Sequence, residues 1–175
     1  HLGNGAHLTL PRHPNYIWEQ LAQDRLWAGI IADGYHLPDS VIKVMLRAKP
    51  SKALLVSDAV YLSGMPPGEY ETHIGGRVVL TSEGRLHLAR KPELLAGSAM
   101  MLADAVWRLA QSGLCTFPEA WDMASMRPAE AMGQAEPYGL KRGAQADFLL
   151  LEKRKGCLRI VETVKGGRSV YQGDC

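Results

Sequence analysis

LWAGIIADGYHLPDSVIKVMLRAKPSKALLVSDA, residues 26–59, decides the reading of the fold. It opens on a short apolar run, Leu26–Ala32, that stops at Asp33-Gly34. A run of that length without polar alternation suits a strand buried on both faces of a parallel sheet. Asp39–Ala48 follows, with Val41, Val44, Met45 and Leu46 apolar, and predicts an amphipathic helix. Ala53–Ser57 is a second buried strand and ends at Asp58. Strand, helix and strand joined by short connections are the β/α units of a parallel sheet. Both strands end in groups that can do chemistry: Asp33-Gly34-Tyr35-His36 after the first, Ser57-Asp58-Ala59 after the second. In a β/α barrel the active site lies at the C-terminal ends of the strands, so these residues are the first candidates. Either aspartate could instead cap the next helix or stabilise a turn.

Upstream, residues 1–15 are rich in turn formers, and Tyr16–Leu26 predicts a helix that Asn15 can cap. Downstream the pattern changes. Residues 61–75 read as a loop. Val78–Thr81 and Arg85–Ala89 flank Ser82-Glu83-Gly84 as a β-hairpin, an insertion of about residues 74–90. A connection over 90–98 closes on Leu95-Ala96-Gly97-Ser98. Ala99–Gln111 predicts a helix, and Thr116-Phe117-Pro118-Glu119 is a capping box opening another. Pro128–Met132 is a further short helix. Residues 147–151, 157–164 and 168–172 read as strands of a small β layer. Trp18, Trp27, Trp107 and Trp121 are expected in the core or against helices, with Met100 and Met101 filling gaps. Tyr35 could flank a ligand pocket or serve packing. His73 and His87 are expected at the surface or in the hairpin.

The chain has 175 residues, 46% hydrophobic and 22% charged, with 20 basic and 18 acidic side chains well mixed. That is a globular composition with no basic block, so neither a nucleic-acid nor a membrane-surface role is expected. No apolar run approaches the roughly 20 residues of a membrane span. Cys115, Cys157 and Cys175 sit at unrelated spacings, which argues against a disulfide framework and for a reducing, cytoplasmic setting. The first residue is His1, not Met, and the chain reads as the later part of something longer. His1 would then stand at the end of an earlier strand, or equally be a frayed surface residue or a tag remnant. An imidazole there, together with carboxylates, suits zinc or a similar divalent ion.

The order His1-Leu2-x-Asn4, Ala32-Asp33-Gly34-x-His36, Val56-Ser57-Asp58-Ala59, Leu95-Ala96-Gly97-Ser98 and Gly143-x-x-Ala146-Asp147 resembles the C-terminal half of the N-acetylglucosamine-6-phosphate deacetylase family, of the amidohydrolase superfamily. Met123-Ala124-Ser125, Arg127-Pro128-Ala129 and Thr163-Val164-Lys165-Gly166 are similar as well. The resemblance implies an α/β fold: residues 1–135 as the C-terminal part of a (β/α)₈ TIM-like barrel, and 136–175 as strands of a small β-sandwich domain. It implies His1 as a metal ligand and Asn4 lining the sugar site. It implies that His36 contacts the substrate amide, that Asp58 is the general acid/base, and that Leu95, Ala96, Gly97 and Ser98 form a loop closing on the sugar. The metal would be zinc, with iron or manganese as alternatives. The reaction would remove acetate from an N-acetylamino sugar.

Two departures bear on the substrate. After the ligand His-Leu the family usually has an aromatic and then Asn-Ala-Met, where this chain has Gly3-Asn4-Gly5-Ala6. Its next loop commonly reads Arg-Glu-Pro-Gly, with an Arg that binds phosphate; here Arg12-His13-Pro14-Asn15 stands in its place. Arg12 is the candidate for the 6-phosphate, and a related N-acylated compound stays open. A (β/α)₈ barrel needs about 250 residues. The resemblance implies that the remaining ligands, a glutamate and a second histidine, lie upstream, and the length implies that upstream residues or another chain complete the barrel. A homodimer is implied, and the 175 residues alone are expected to be inactive. The competing readings are a deaminase or cyclic amidase of the same superfamily, and a non-catalytic barrel remnant.

Overall fold

A computed structural model describes residues 1–73, 76–134, 138–154 and 156–173. The boundary placed between residues 135 and 136, the start of the insertion at 74 and Cys175 lie outside the described residues. The order opens with helix α1 (Tyr16–Ala22), strand β1 (Ala28–Ile30), helix α2 (Asp39–Ala48) and strand β2 (Ala53–Leu55). Asn15 caps α1, its side chain accepting the Ile17 and Trp18 amides. The helix ends four residues before Leu26, where Gln23 turns extended.

Strands β1 and β2 pair in parallel, Ala28 with Ala53 and Ile30 with Leu55. Their buried alternation brings Ile30, Ala53 and Leu55 against Ile42 and Met45 of α2 in one apolar cluster. On the other edge of β1 the Leu2 amide donates to the Gly29 carbonyl at 2.8 Å. Gly29 carries no side chain there, and a Cβ would sit 3.5 Å from the His1 Cα. The N-terminal residues, β1 and β2 therefore run side by side, and the polar groups after each emerge beside one another.

The insertion is larger than a hairpin. Four antiparallel strands, β3 (Gly68–Thr72), β4 (Gly76–Leu80), β5 (Leu86–Leu88) and β6 (Lys91–Leu95), lie in sequence order. Residues 68–72, expected as loop, alternate half-buried and exposed residues against β4. Residues 91–95 form an edge strand where Pro92 needs no ladder donor. Leu62, Val78, Leu80 and Leu86 make a second core beneath this sheet.

Helices α3 (Leu102–Gln111), α4 (Phe117–Ala124) and α5 (Met126–Ala131) return the chain to the first core, burying Val106, Leu109, Ala120 and Met123. Val106, Leu109 and Met123 each contribute about 1.5–3 kcal/mol by this burial. The Thr116–Glu119 capping box forms at the head of α4. Strands β7 (Phe148–Arg154), β8 (Cys157–Lys165) and β9 (Arg168–Gln172) close the chain as an antiparallel sheet. Two core expectations are corrected. Trp18 is 52% exposed, on the outer face of α1, with its indole N–H donated to the Arg12 carbonyl. Met101 is 55% exposed because it precedes α3 as its N-terminal cap.

Candidate active site

The ends of the adjacent segments carry the site. His1 Nε2 lies 3.3 Å from Asp58 Oδ2, with both side chains partly open to solvent. Asp58 takes φ 47° and is the non-glycine residue with positive φ among those described. The left-handed region is unfavourable for a residue with a Cβ, and such strain concentrates at functional positions. Asn4 Nδ2 stands 3.4 Å from the same His1 nitrogen. One nitrogen cannot accept from Asn4 and donate to Asp58 at once; charge favours donation to the carboxylate.

Asp33 and His36 form a second, buried pair. His36 Nδ1 is 2.7 Å from Asp33 Oδ2, and the side chains are only 6% and 4% exposed. Asp33 Oδ1 accepts the amides of Tyr35 and His36, each at 2.9 Å. Burial pushes the Asp33 carboxyl up, but hydrogen bonds from the His36 ring and the two amides, with the His36 charge, outweigh it and hold it at about 2. Asp33 thus stabilises its turn and orients His36, a role that the spacing alone did not separate from simple capping. Among the described residues His36 Nε2 has no hydrogen-bond partner.

Two other side chains grip this loop. Tyr35 donates its hydroxyl to the Glu83 carbonyl at 2.8 Å, tying the loop to the β4–β5 turn. Arg108 of α3 lies flat on Gly34, where a Cβ would stand 2.8 Å from its Nε, and it pairs with Asp39 at the start of α2. Sequence reasoning missed Arg108; the Asp-Gly-x-His spacing at least pointed to the turn on which it rests.

The Leu95–Ser98 loop is fastened beside Asp58. Ala59 and Ser98 form a parallel bridge, and the Val60 amide donates to the Ser98 carbonyl at 2.9 Å. Ser98 is buried, and its hydroxyl accepts the Met100 amide. Arg12 lies elsewhere, on an exposed turn whose carbonyl accepts from Trp18 and Asn15; no described contact joins it to His1, His36 or Asp58. Among the described residues no group of three or more His, Cys, Asp or Glu converges as an ion would require. His1 and Asp58 offer an imidazole nitrogen and a carboxylate oxygen, donor types that fit a borderline divalent metal.

No protein-family model matches the chain. It is 30% identical over 158 residues to "Putative N-acetylgalactosamine-6-phosphate deacetylase" of Escherichia coli (strain K12), covering 87% of this chain and 89% of that protein. The chain belongs to the N-acetylglucosamine-6-phosphate deacetylase family. It is also 31% identical over 148 residues to N-acetylglucosamine-6-phosphate deacetylase of Danio rerio, covering 84% of this chain but only 35% of the relative. The chain therefore spans about a third of the length of that relative and corresponds to the C-terminal part of the family. The fold is shared with the crystal structure of N-acetylglucosamine-6-phosphate deacetylase from Thermotoga maritima, with TM-score 0.82 at 24% identity over 99% of this chain and 46% of the other.

Proposed function

We propose that the chain supplies the acid–base side of an amide-hydrolysing site for an N-acetylhexosamine 6-phosphate, as the C-terminal part of a (β/α)₈ barrel. The observation that carries this reading is the approach of His1 to Asp58 at 3.3 Å, at the ends of adjacent segments. His1 would hold a divalent metal, zinc first and iron or manganese next, with further ligands from outside the described residues. When bound, such an ion lowers the pKa of a water and polarises the amide carbonyl.

Asp58 takes the proton of the attacking water and passes it to the leaving nitrogen as the C–N bond breaks. Acetate and a free amine result. His36, its Nδ1 held by Asp33, presents Nε2 to the carbonyl oxygen as negative charge develops there. Asn4 and the Leu95–Ser98 loop line the sugar, and Arg12 takes the phosphate. The epimer is left to the pocket, since relatives are named for both the gluco and the galacto sugar.

The same reading carries a homodimer and a cytoplasmic setting. Cys115 and Cys157 are unpaired thiols, which supports a reducing compartment. No helix among the described residues is long and apolar enough to cross a membrane.

The test is acetate release with the barrel completed by upstream residues or a second chain. N-acetylglucosamine 6-phosphate and its galacto epimer are supplied with zinc, iron or manganese. Metal-dependent release from either sugar supports the reading. A completed protein that binds no metal and releases no acetate supports a non-catalytic barrel remnant instead.

A further inference from the structure

A cleft of about 300 Å³ opens between α2 and the start of α4 and α5, with Lys43, Arg47, Arg127, Cys115, Glu119 and Pro50 among its walls. We propose that this cleft binds the phosphate group of a small monoester, at a site separate from the one built on His1 and Asp58.

Lys43 and Arg47 are four residues apart, so they share one exposed face of α2. Arg127 reaches the cleft from the first turn of α5. Its Nη1 donates to the Ala53 carbonyl at 3.0 Å, which fixes the guanidinium and leaves other N–H groups for a ligand. No carboxylate among the described residues lies within ion-pair distance of these three cations.

Glu119 is the acidic group in the wall; its Oε2 accepts the Thr116 amide and hydroxyl at 2.7 Å each, which keeps it ionised, and Arg127 offsets its charge. Burial and the Glu119 charge push the Cys115 thiol up against the pull of Arg127. The thiol therefore stays neutral at pH 7 and adds no repulsion. Lys43 and Arg47 carry no ion pair among the described residues, and Arg127, which feels the Glu119 charge, keeps N–H groups free beyond its bond to Ala53; cations around a concave space are what an oxyanion requires, and a guanidinium fork matches two phosphate oxygens. The cleft is at the lower limit of small-ligand sites, which run from about 300 Å³, and it exceeds what one inorganic ion fills.

Its place in the fold keeps it independent of the proposed chemistry. Ala53, which Arg127 touches, opens β2, whereas Asp58 follows the other end of that strand. Occupancy of the cleft therefore leaves Asp58 free.

The test is an amide chemical-shift titration of the full chain with glycerol 3-phosphate and, separately, inorganic phosphate, at constant ionic strength. The expected result is saturable shifts at residues 43–47, 115–119 and 127. Lys43→Gln with Arg47→Gln, both exposed, should raise Kd at least about fivefold, equivalent to about 1 kcal/mol. Asp58→Asn should titrate as the parent does. Tighter binding of glycerol 3-phosphate marks a monoester site; equal binding means the phosphate alone is read, which retains the site and corrects the ligand. Shifts that are absent, that fail to saturate, or that match in the Lys43/Arg47 variant overturn the proposal.

Discussion

Asp33 Oδ2 lies 2.7 Å from His36 Nδ1, and the other oxygen of the same carboxylate holds the Tyr35 and His36 amides. One side chain thus sets both the turn and the ring. The ordinary carboxyl value of 3.8 falls to about 2 in the folded chain. Between these values the unfolded chain binds more protons than the folded one. The contribution is therefore fully present above about pH 4 and is lost as pH falls through about 2. The expected loss is about 2 kcal/mol. Denaturant unfolding from pH 7 to 2 should show this slope in the parent and not in Asp33→Asn; equal slopes contradict the pairing.

Asp58 pays backbone strain for its position, at φ 47°. Asp58→Gly should stabilise the fold by about 1 kcal/mol while removing the carboxylate. Asp58→Asn should leave stability near the parent value, since asparagine tolerates this region. Chemical denaturation of the three proteins checks the order; a less stable glycine variant means the strain is absent.

The loop beside Asp58 depends on Gly97. Its φ is 107°, and a Cβ there would stand 2.5 Å from Val60 Cγ1. Gly97→Ala should cost about 1–3 kcal/mol. Adding Val60→Ala should return part of that cost, because the clash goes while the backbone strain stays. Thermal unfolding of the single and double variants measures it, and strict additivity contradicts the contact.

Arg12 stands on an exposed turn, with no described contact to His1, His36 or Asp58. In the completed protein Arg12→Ala should weaken binding of N-acetylglucosamine 6-phosphate by about tenfold, or about 1.4 kcal/mol, and leave the unphosphorylated sugar unaffected. Calorimetry with both ligands checks this. Equal losses mean the phosphate is read elsewhere.

Much of this fold is legible in the sequence because its elements are strongly patterned. The runs at Leu26–Ala32 and Ala53–Ser57 contain β1 and β2, and Asp39–Ala48 is α2 to the residue. The capping box at Thr116 marks the head of α4 because its two hydrogen bonds are purely local. Strands β3 and β6 are hidden, since Gly68, Lys91 and Pro92 read as loop formers and only pairing across the sheet makes them strands. Asp58 and His36 announce themselves as polar groups after buried strands. The Asp33–His36 bond, the Tyr35 tie to Glu83 and the seat of Arg108 on Gly34 depend on ring and guanidinium placement over as many as 74 residues of chain, which spacing does not encode.

In the proposed reaction Asp58 moves the proton of amide hydrolysis next to a metal held by His1. Single-turnover acetate release by the metal-loaded, barrel-completed protein, with metal content measured in the same samples, tests it most directly. Asp58→Asn is predicted to slow release by about 10²- to 10⁴-fold with its metal retained. Release at the parent rate, or a loss of rate that only follows loss of metal, would contradict it.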